Sequence, residues 1–265
     1  VVLVAGLLGL RFGLEFPAVR RVEVTLRKWP QGFDGFRIVQ ISDIHIGPLL
    51  GRQFSERLVA EVNALAPDLV AVTGDLVDGP VEKLRGEVEP FADLRGRYGV
   101  FFVTGNHDFY SGAEAWVEQV TKLGMRVLRN EHVVLRNGSD AFSLVGVDDH
   151  RGNMMPGEGG EDLNAALKGI DTDLAQILLA HDPSTFKRAC QLGVDLQLSG
   201  HTHGGQIWPF RWFVRLAIPF VDGLYRRGDA TLYVSRGTGF WGPPMRLGAP
   251  SEITEITLRA PGGSA

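Results

Sequence analysis

Phe36-Arg37-Ile38-Val39-Gln40-Ile41-Ser42-Asp43-Ile44-His45 is an apolar run that ends in a carboxylate and an imidazole, and the same unit recurs along the chain. Further apolar runs stand at 69–72, 100–103, 142–147, 177–179 and 196–198. Continuous runs of this length predict strands buried on both faces. Between them, Phe54, Leu58, Val59, Val62 and Leu65 keep helical spacing. Trp116, Val117, Val120 and Leu123 do so again, with Ser111 and Glu114 reading as a capping box and Gly124 as the stop. Asp182-Pro183 reads as a helix N-cap and first-turn proline, with Gly193 ending that helix. Strand and helix alternating over most of the chain predict an α/β fold. No linker divides residues 36–258.

The residues directly after each run carry the chemistry. The clusters are Ser42-Asp43-Ile44-His45, Thr73-Gly74-Asp75, Thr104-Gly105-Asn106-His107-Asp108, Ala180-His181-Asp182 and Ser199-Gly200-His201-Thr202-His203. Each has an ordinary explanation when taken alone: Gly-Asp is a common turn, Asp182 caps a helix, and a lone histidine is usually just exposed. Five such clusters at the carboxyl ends of five predicted strands, read as one sheet edge, are harder to explain that way, because that edge is where open α/β sheets bind ligands. Five of the seven histidines fall in them, while His132 and His150 read as surface residues. Asp43/His45 and His201/His203 are i, i+2 pairs, whose members point to one side if the chain stays extended.

Cys190 is the only cysteine, which excludes a disulfide framework and any thiolate-built metal site. Asp, Asn and His donors suit divalent Mn2+, Fe2+ or Zn2+, and also Co2+ or Ni2+. Seven candidate donors (Asp43, His45, Asp75, Asn106, His181, His201 and His203) exceed what one catalytic ion takes, and they suit two ions about 4 Å apart that share a carboxylate. Two divalent ions less Asp43, Asp75 and a bridging hydroxide leave a surplus of about +1, which favours an anion such as a phosphoester. The 27 basic and 31 acidic residues give a net charge of −4, so no nucleic-acid binding is expected.

The motifs Asp43-x-His45, Gly74-Asp75, Gly105-Asn106-His107-Asp108, His181 and Gly200-His201-x-His203 resemble, complete and in order, the calcineurin-like metallophosphoesterase superfamily. That resemblance implies a four-layer α/β/β/α sandwich. It implies one metal held by Asp43, His45, Asp75 and His203, and a second by Asp75, Asn106, His181 and His201. His107 would contact the phosphate and protonate the leaving oxygen, with Asp108 orienting its ring. The implied activity is hydrolysis of phosphoesters, as a phosphodiesterase, by in-line attack of a metal-bridging hydroxide. Ile41-Ser42-Asp43-Ile44-His45 and His201-Thr202-His203-Gly204-Gly205-Gln206 look most like a membrane-linked bacterial branch, some of whose members act on lipid-linked phosphates. A lipid-specific pyrophosphatase, such as a UDP-2,3-diacylglucosamine hydrolase, is the alternative. A non-catalytic scaffold would need eroded ligands, and none is eroded.

Residues 1–19 read as an N-terminal apolar segment and 20–265 as the metallophosphoesterase domain. Val1 to Leu10 is too short to span a bilayer. It fits the end of a membrane helix, the core of a signal peptide, or a buried element of the domain. The first two place the protein at a membrane, on a side the sequence does not specify. Val22, Val24 and Leu26 alternate with polar residues as in a half-buried strand, whose Arg20, Arg21, Arg27 and Lys28 form a solvated face or juxtamembrane charge. Residues 207–221 hold two tryptophans, three phenylalanines and two arginines directly behind candidate ligands. They read either as a substrate-side flap at a membrane interface or as a buried connection between layers. Trp241 reads as a core residue, with lining of that same cleft as its other use.

Overall fold

Alternation inside the apolar runs assigns each strand residue to a layer. Phe36 and Ile38 join one buried cluster and Val39 and Ile41 another; Leu69 and Ala71 divide from Val70 and Val72 in the same way. The computed structural model describes residues 2–155 and 159–262; Val1 and residues 263–265, the ends of the two expected segments, lie outside that range. The first half carries α1 (Val2–Leu14), β1 (Ala18–Thr25), β2 (Phe36–Ile41), α2 (Arg52–Ala64), β3 (Leu69–Thr73), α3 (Val81–Val88), β4 (Val100–Val103), α4 (Asn106–Tyr110), α5 (Ala113–Lys122) and β5 (Arg126–Val127). The second half carries β6 (Glu131–Asn137), β7 (Asp140–Gly146), α6 (Leu163–Ala166), β8 (Ala175–Leu179), α7 (Phe186–Ala189), β9 (Leu196–Ser199), α8 (Arg211–Ala217), β10 (Gly223–Arg227), β11 (Ala230–Val234) and β12 (Glu252–Arg259).

The strands form two six-stranded sheets, β1-β12-β2-β3-β4-β5 and β10-β11-β9-β8-β7-β6. Each is parallel at its centre: β2, β3 and β4 in the first, and β7, β8 and β9 in the second. Between the sheets lie Ile38, Leu69, Phe101 and Val103 from one and Phe142, Leu144, Ile177 and Leu198 from the other. Leu58, Val62, Trp116 and Val120 of the helices cover the outer face of the first sheet. Leu163, Ala166 and Ala189 cover that of the second. The result is the four-layer α/β/β/α sandwich. The single sheet edge expected from the strand–cluster repeat is therefore two edges. Asp43, Asp75 and Asn106 follow strands of the first sheet, whereas His181, His201 and His203 follow strands of the second. Sequence alternation cannot say which sheet a strand joins, because a strand buried on both faces reads alike in either.

Local details differ from expectation where side chains find better partners. Ser111 does not cap α5, whose N-cap is Gly112 in a left-handed conformation. The Ser111 hydroxyl instead accepts from Gly79 N, and Glu114 pairs with Arg129. Gly124 (φ +88°) stops that helix as expected. Asp182 accepts from Ser184 N and opens a short 3-10 turn that runs into α7, and Gly193 (φ +95°) closes the segment. β1 is the expected half-buried strand: Val24 packs between the sheets with Val22 against it, while Arg21 pairs with Glu255 and Arg20 with Glu252 on β12.

α1 is not a buried element. It meets the domain through glycine, with Gly9 O accepting from Arg246 N at 2.8 Å and Gly13 packed closely on Pro244 and Met245. Leu3 and Leu7 stay 75% and 60% exposed. Among the described residues no helix is long and apolar enough to cross a membrane.

Candidate metal centre

The loops after β2 and β3 leave their strands side by side: Asp43 N donates to Gly74 O, and Ile44 N and His45 N both donate to Asp75 O. Extended backbone is not what aims the donors. Asp43, His45, Asp75, His201 and His203 all have φ between +51° and +72°. They are five of the eight non-glycine residues in the left-handed region among those described. The i, i+2 pairs thus turn inward by left-handed kinks. Such kinks cost on the order of 1–3 kcal/mol each and cluster where function requires them.

The kinks bring the two sheets' loops together. His201 N donates to both oxygens of Asp43, at 2.9 and 3.1 Å, which ties the β9 loop to the β2 loop. Asp43, His45 and His203 form one group of mutually close donor atoms, and Asp75, His181 and His201 form another. Asp75 Oδ2 stands between them, 3.8 Å from His45 Nε2 and 3.2 Å from His181 Nε2. Asn106 Oδ1 lies 2.8 Å from His201 Nδ1 on the second side. His201 and His203 accordingly face different groups.

The donor set fits cations. His45 Nδ1 meets Asp78 at 2.9 Å and His181 Nδ1 meets Thr73 O at 2.8 Å. Both partners can only accept, so each Nδ1 donates and each Nε2 is the ring atom turned inward. The Nε2 atoms of His45 and His203 face each other at 3.1 Å, an arrangement that a shared cation rationalises better than a shared proton. Burial, with the charges of His45 and Arg246, holds His203 well below the ordinary imidazole range, in its ligand form. Burial pushes His181 down, but the charge of Asp75 prevails and holds it well above that range. A cation held between those two residues would compete with this proton.

Asp108 does not orient His107. Its buried carboxylate accepts three backbone N–H groups, from Asp75, Leu76 and Gly105, at 2.8–3.0 Å. It therefore shapes the loop that presents Asp75; burial and the charge of Asp75 push its carboxyl up to about 7. The ring partner is Asp78, whose Oδ1 takes His107 Nδ1 at 2.7 Å and His45 Nδ1 at 2.9 Å. Burial raises the Asp78 carboxyl, yet the two imidazoles outweigh it and hold it at about 2. In the sequence Asp78 is a loop acid three residues beyond Asp75, and that spacing was the only signal for it. His150, read as a surface residue, lies half-buried with Nδ1 3.5 Å from Asp182 Oδ2, an oxygen that also lies 3.8 Å from His201 Nε2. His132 is half-buried too, with its Nδ1 donating to Ala166 O.

The aromatic stretch behind His203 is not a buried connection. Trp208, Phe210, Trp212, Phe213 and Leu216 are exposed, as is Trp241, which is 52% accessible and edges the His107 ring at 6.2 Å. A core position for Trp241 is thereby excluded.

Nitrogen and oxygen donors from the loops of both sheets thus form clusters that could hold metal ions. The chain belongs to the calcineurin-like phosphoesterase family, whose sequence profile matches residues 36–205. It is 42% identical over 260 residues to the zebrafish (Danio rerio) "Transmembrane protein with metallophosphoesterase domain", covering 95% of this chain and 59% of that protein. It is 34% identical over 263 residues to an uncharacterized metallophosphoesterase of Aquifex aeolicus, covering 98% and 99%. In fold it is similar to the NAD nucleotidase of Haemophilus influenzae, with a TM-score of 0.52 and 17% identity over 77% of this chain and 50% of that one. The chain spans about three-fifths of the length of the vertebrate relatives it matches.

Proposed function

We propose that this chain is a two-cation phosphoesterase acting on phosphodiesters. The observation that carries the reading is the position of Asp75 Oδ2 between two groups of inward-facing donors. Asp43, His45, Asp75 and His203 would hold one ion, and Asp75, Asn106, His181 and His201 the other. Mn2+, Fe2+ or Zn2+ suits the donors best, and Co2+ or Ni2+ is compatible. When bound, the ions supply positive charge to a phosphate and an activated water as nucleophile. Asp78 holds His107 by Nδ1, which leaves Nε2 as the ring atom for a phosphate oxygen and for proton delivery to the leaving oxygen. Asp108 keeps the Asp75 loop in place by its three backbone contacts.

Residues 1–19 act as an appended segment and 20–265 as the catalytic domain. The exposed apolar faces of α1 and α8 suit association with a membrane surface. The deciding assay is hydrolysis of bis(p-nitrophenyl) phosphate by protein loaded with Mn2+, beside p-nitrophenyl phosphate. The diester is the better substrate, chelation abolishes turnover, and Asp75→Asn lowers both metal content and rate with the fold intact. Full activity in chelated protein refutes the reading.

A further inference from the structure

Arg246 is fully buried, yet among the described residues no carboxylate lies within ion-pair distance of its guanidinium. Its donors go to backbone instead: Nε and Nη2 to Gly239 O, and Nη1 to Ala249 O at 2.9 Å and to His203 O at 3.5 Å. Gly239 N in turn donates to Asp43 O at 2.9 Å. One planar fork therefore ties the loop of Asp43, after β2, to the loop of His203, after β9. Gly237 (φ +82°) keeps this junction tight, since a Cβ there would stand 2.9 Å from Asp43 Cβ, 3.2 Å from Arg246 Nη2 and 3.3 Å from His203 Nδ1. Asp43 and His203 belong to one donor group. Among the described residues the guanidinium makes no hydrogen bond to the other group, Asp75, His181 and His201. Behind Arg246 stands α1. Arg246 N donates to Gly9 O at 2.8 Å. Gly13, four residues on and on the same helix face, packs so closely that a Cβ would stand 2.2 Å from Pro244 O. Leu247 N then donates to Gln206 O, and Trp208 N to Leu247 O, both at 2.8 Å. The backbone of Arg246 is thus fixed by α1, and its side chain fixes two loops of the centre.

We propose that Arg246 is a positioning residue for the Asp43–His203 side of the centre, and that docking of α1 sets its grip. The inference rests on the two-cation reading and adds a control over one of the two ions. Donors from separate loops hold an ion only while the loops stay in register, and partners behind the donors are worth about 10- to 100-fold in metal affinity. Here the partner behind Asp43 and His203 is one side chain, and its own backbone leans on a helix at the edge of the domain. Withdrawal of α1 from Pro244 and Arg246 therefore weakens the ion at Asp43 and His203 and spares the one at His181 and His201. The guanidinium's like charge works against a nearby cation, so the sign of the effect separates a brace from a repelling charge.

The test is stepwise Mn2+ binding to the full chain by chelator competition, beside thermal unfolding of the metal-free protein. His203→Ala and His181→Ala identify which binding step belongs to which donor group. Gly13→Leu, which the approach of Pro244 O does not admit, weakens the His203 step about tenfold and leaves the His181 step unchanged. Gly6→Leu is the matched control: the same substitution on the same helix meets nothing within 4 Å, and both steps keep wild-type affinity. Arg246→Lys, which keeps the charge and loses the fork, repeats the Gly13→Leu pattern. Equal affinities in Gly13→Leu and Gly6→Leu overturn the inference, as does a loss shared equally by both steps, which general loosening would give. Tighter binding at the His203 step in Arg246→Met also overturns it, because the guanidinium would then repel the ion and not brace its ligands. The expected pattern without any diester turnover leaves the inference standing and removes the catalytic reading. Wild-type protein that binds no Mn2+ removes the two together.

Discussion

Gly105→Ala probes the centre through geometry alone. Gly105 has φ −109° and ψ 177°, a conformation alanine adopts freely, so no backbone strain enters. A Cβ there would nevertheless stand 2.5 Å from Asp75 N and 2.9 Å from Asp75 Cγ, with Oδ1 closer still. Non-bonded heavy atoms meet at about 3.5 Å, so the carboxylate shared by the two donor groups must retreat by about 1 Å. The neighbours cannot absorb this, because Asp75 N is held by Asp108 and Oδ1 by His107 N. Displacement by 1 Å costs on the order of 10²-fold in rate, and overpacking costs about 1–3 kcal/mol of stability, roughly 2–12 °C in Tm for a chain of this size. The assay is metal content, diester turnover and thermal unfolding on one preparation, with Gly124→Ala as control. Gly124 also lacks a Cβ and lies at φ +88°, but it faces open space, so alanine there costs stability and leaves turnover alone. Two metals and wild-type turnover in Gly105→Ala would refute the assignment of Asp75.

Asp78→Asn weakens metal affinity or kcat by about 10- to 100-fold, because one carboxylate positions both His45 and His107. Combined with His107→Ala its effect on kcat is less than additive, and strict additivity would show that Asp78 does not act through that ring. The same residue gives the metal-free protein an acid limb. Its folded value of about 2 lies below the ordinary 3.8, so its contribution is present in full above about pH 4 and is lost as pH falls through 2. Solvent reaches part of this carboxylate and screens its pairs, so the stability gap between wild type and Asp78→Asn is about 1 kcal/mol, and it closes over that window in urea titrations. A gap that ignores pH contradicts it. Leu3→Asp with Leu7→Asp lowers partition onto phospholipid vesicles on the order of a hundredfold, and unchanged partition dismisses α1 as a membrane contact.

Strand positions were legible because a strand buried on both faces is a continuous apolar run, and Phe36–Ile41 and Val100–Val103 fall where the runs do. The donor clusters were legible because they follow those runs directly. Two kinds of information were not. Side-chain direction after a strand depends on backbone torsions, and the left-handed kinks at Asp43 and His203 have no signature of the kind glycine would provide. Partner choice among loop acids depends on tertiary approach, which is why Asp108, adjacent to His107 in sequence, turns to three backbone N–H groups while Asp78 reaches its ring. Trp241 misled for a related reason: tryptophan is buried on average, but here its ring forms one wall of an open groove.

The division of donors between two sheets ties the centre to the core beneath it. His201 N reaches Asp43, and below that contact Gln40 Nε2 donates to Ser199 O at 3.0 Å across the same interface. The layer under both is the inter-sheet cluster, where Phe36 and Phe142 pack edge to face at 5.4 Å. Donors from one sheet meet donors from the other only when that layer is packed, so the unfolded chain has no preformed site. Ion binding then draws on folding free energy, and the cost of the left-handed kinks falls on the same account. Changes that loosen the inter-sheet layer are expected to weaken metal affinity without touching a ligand. Equal loosening of the helices on either outer face leaves the register of the two rims intact and spares the centre.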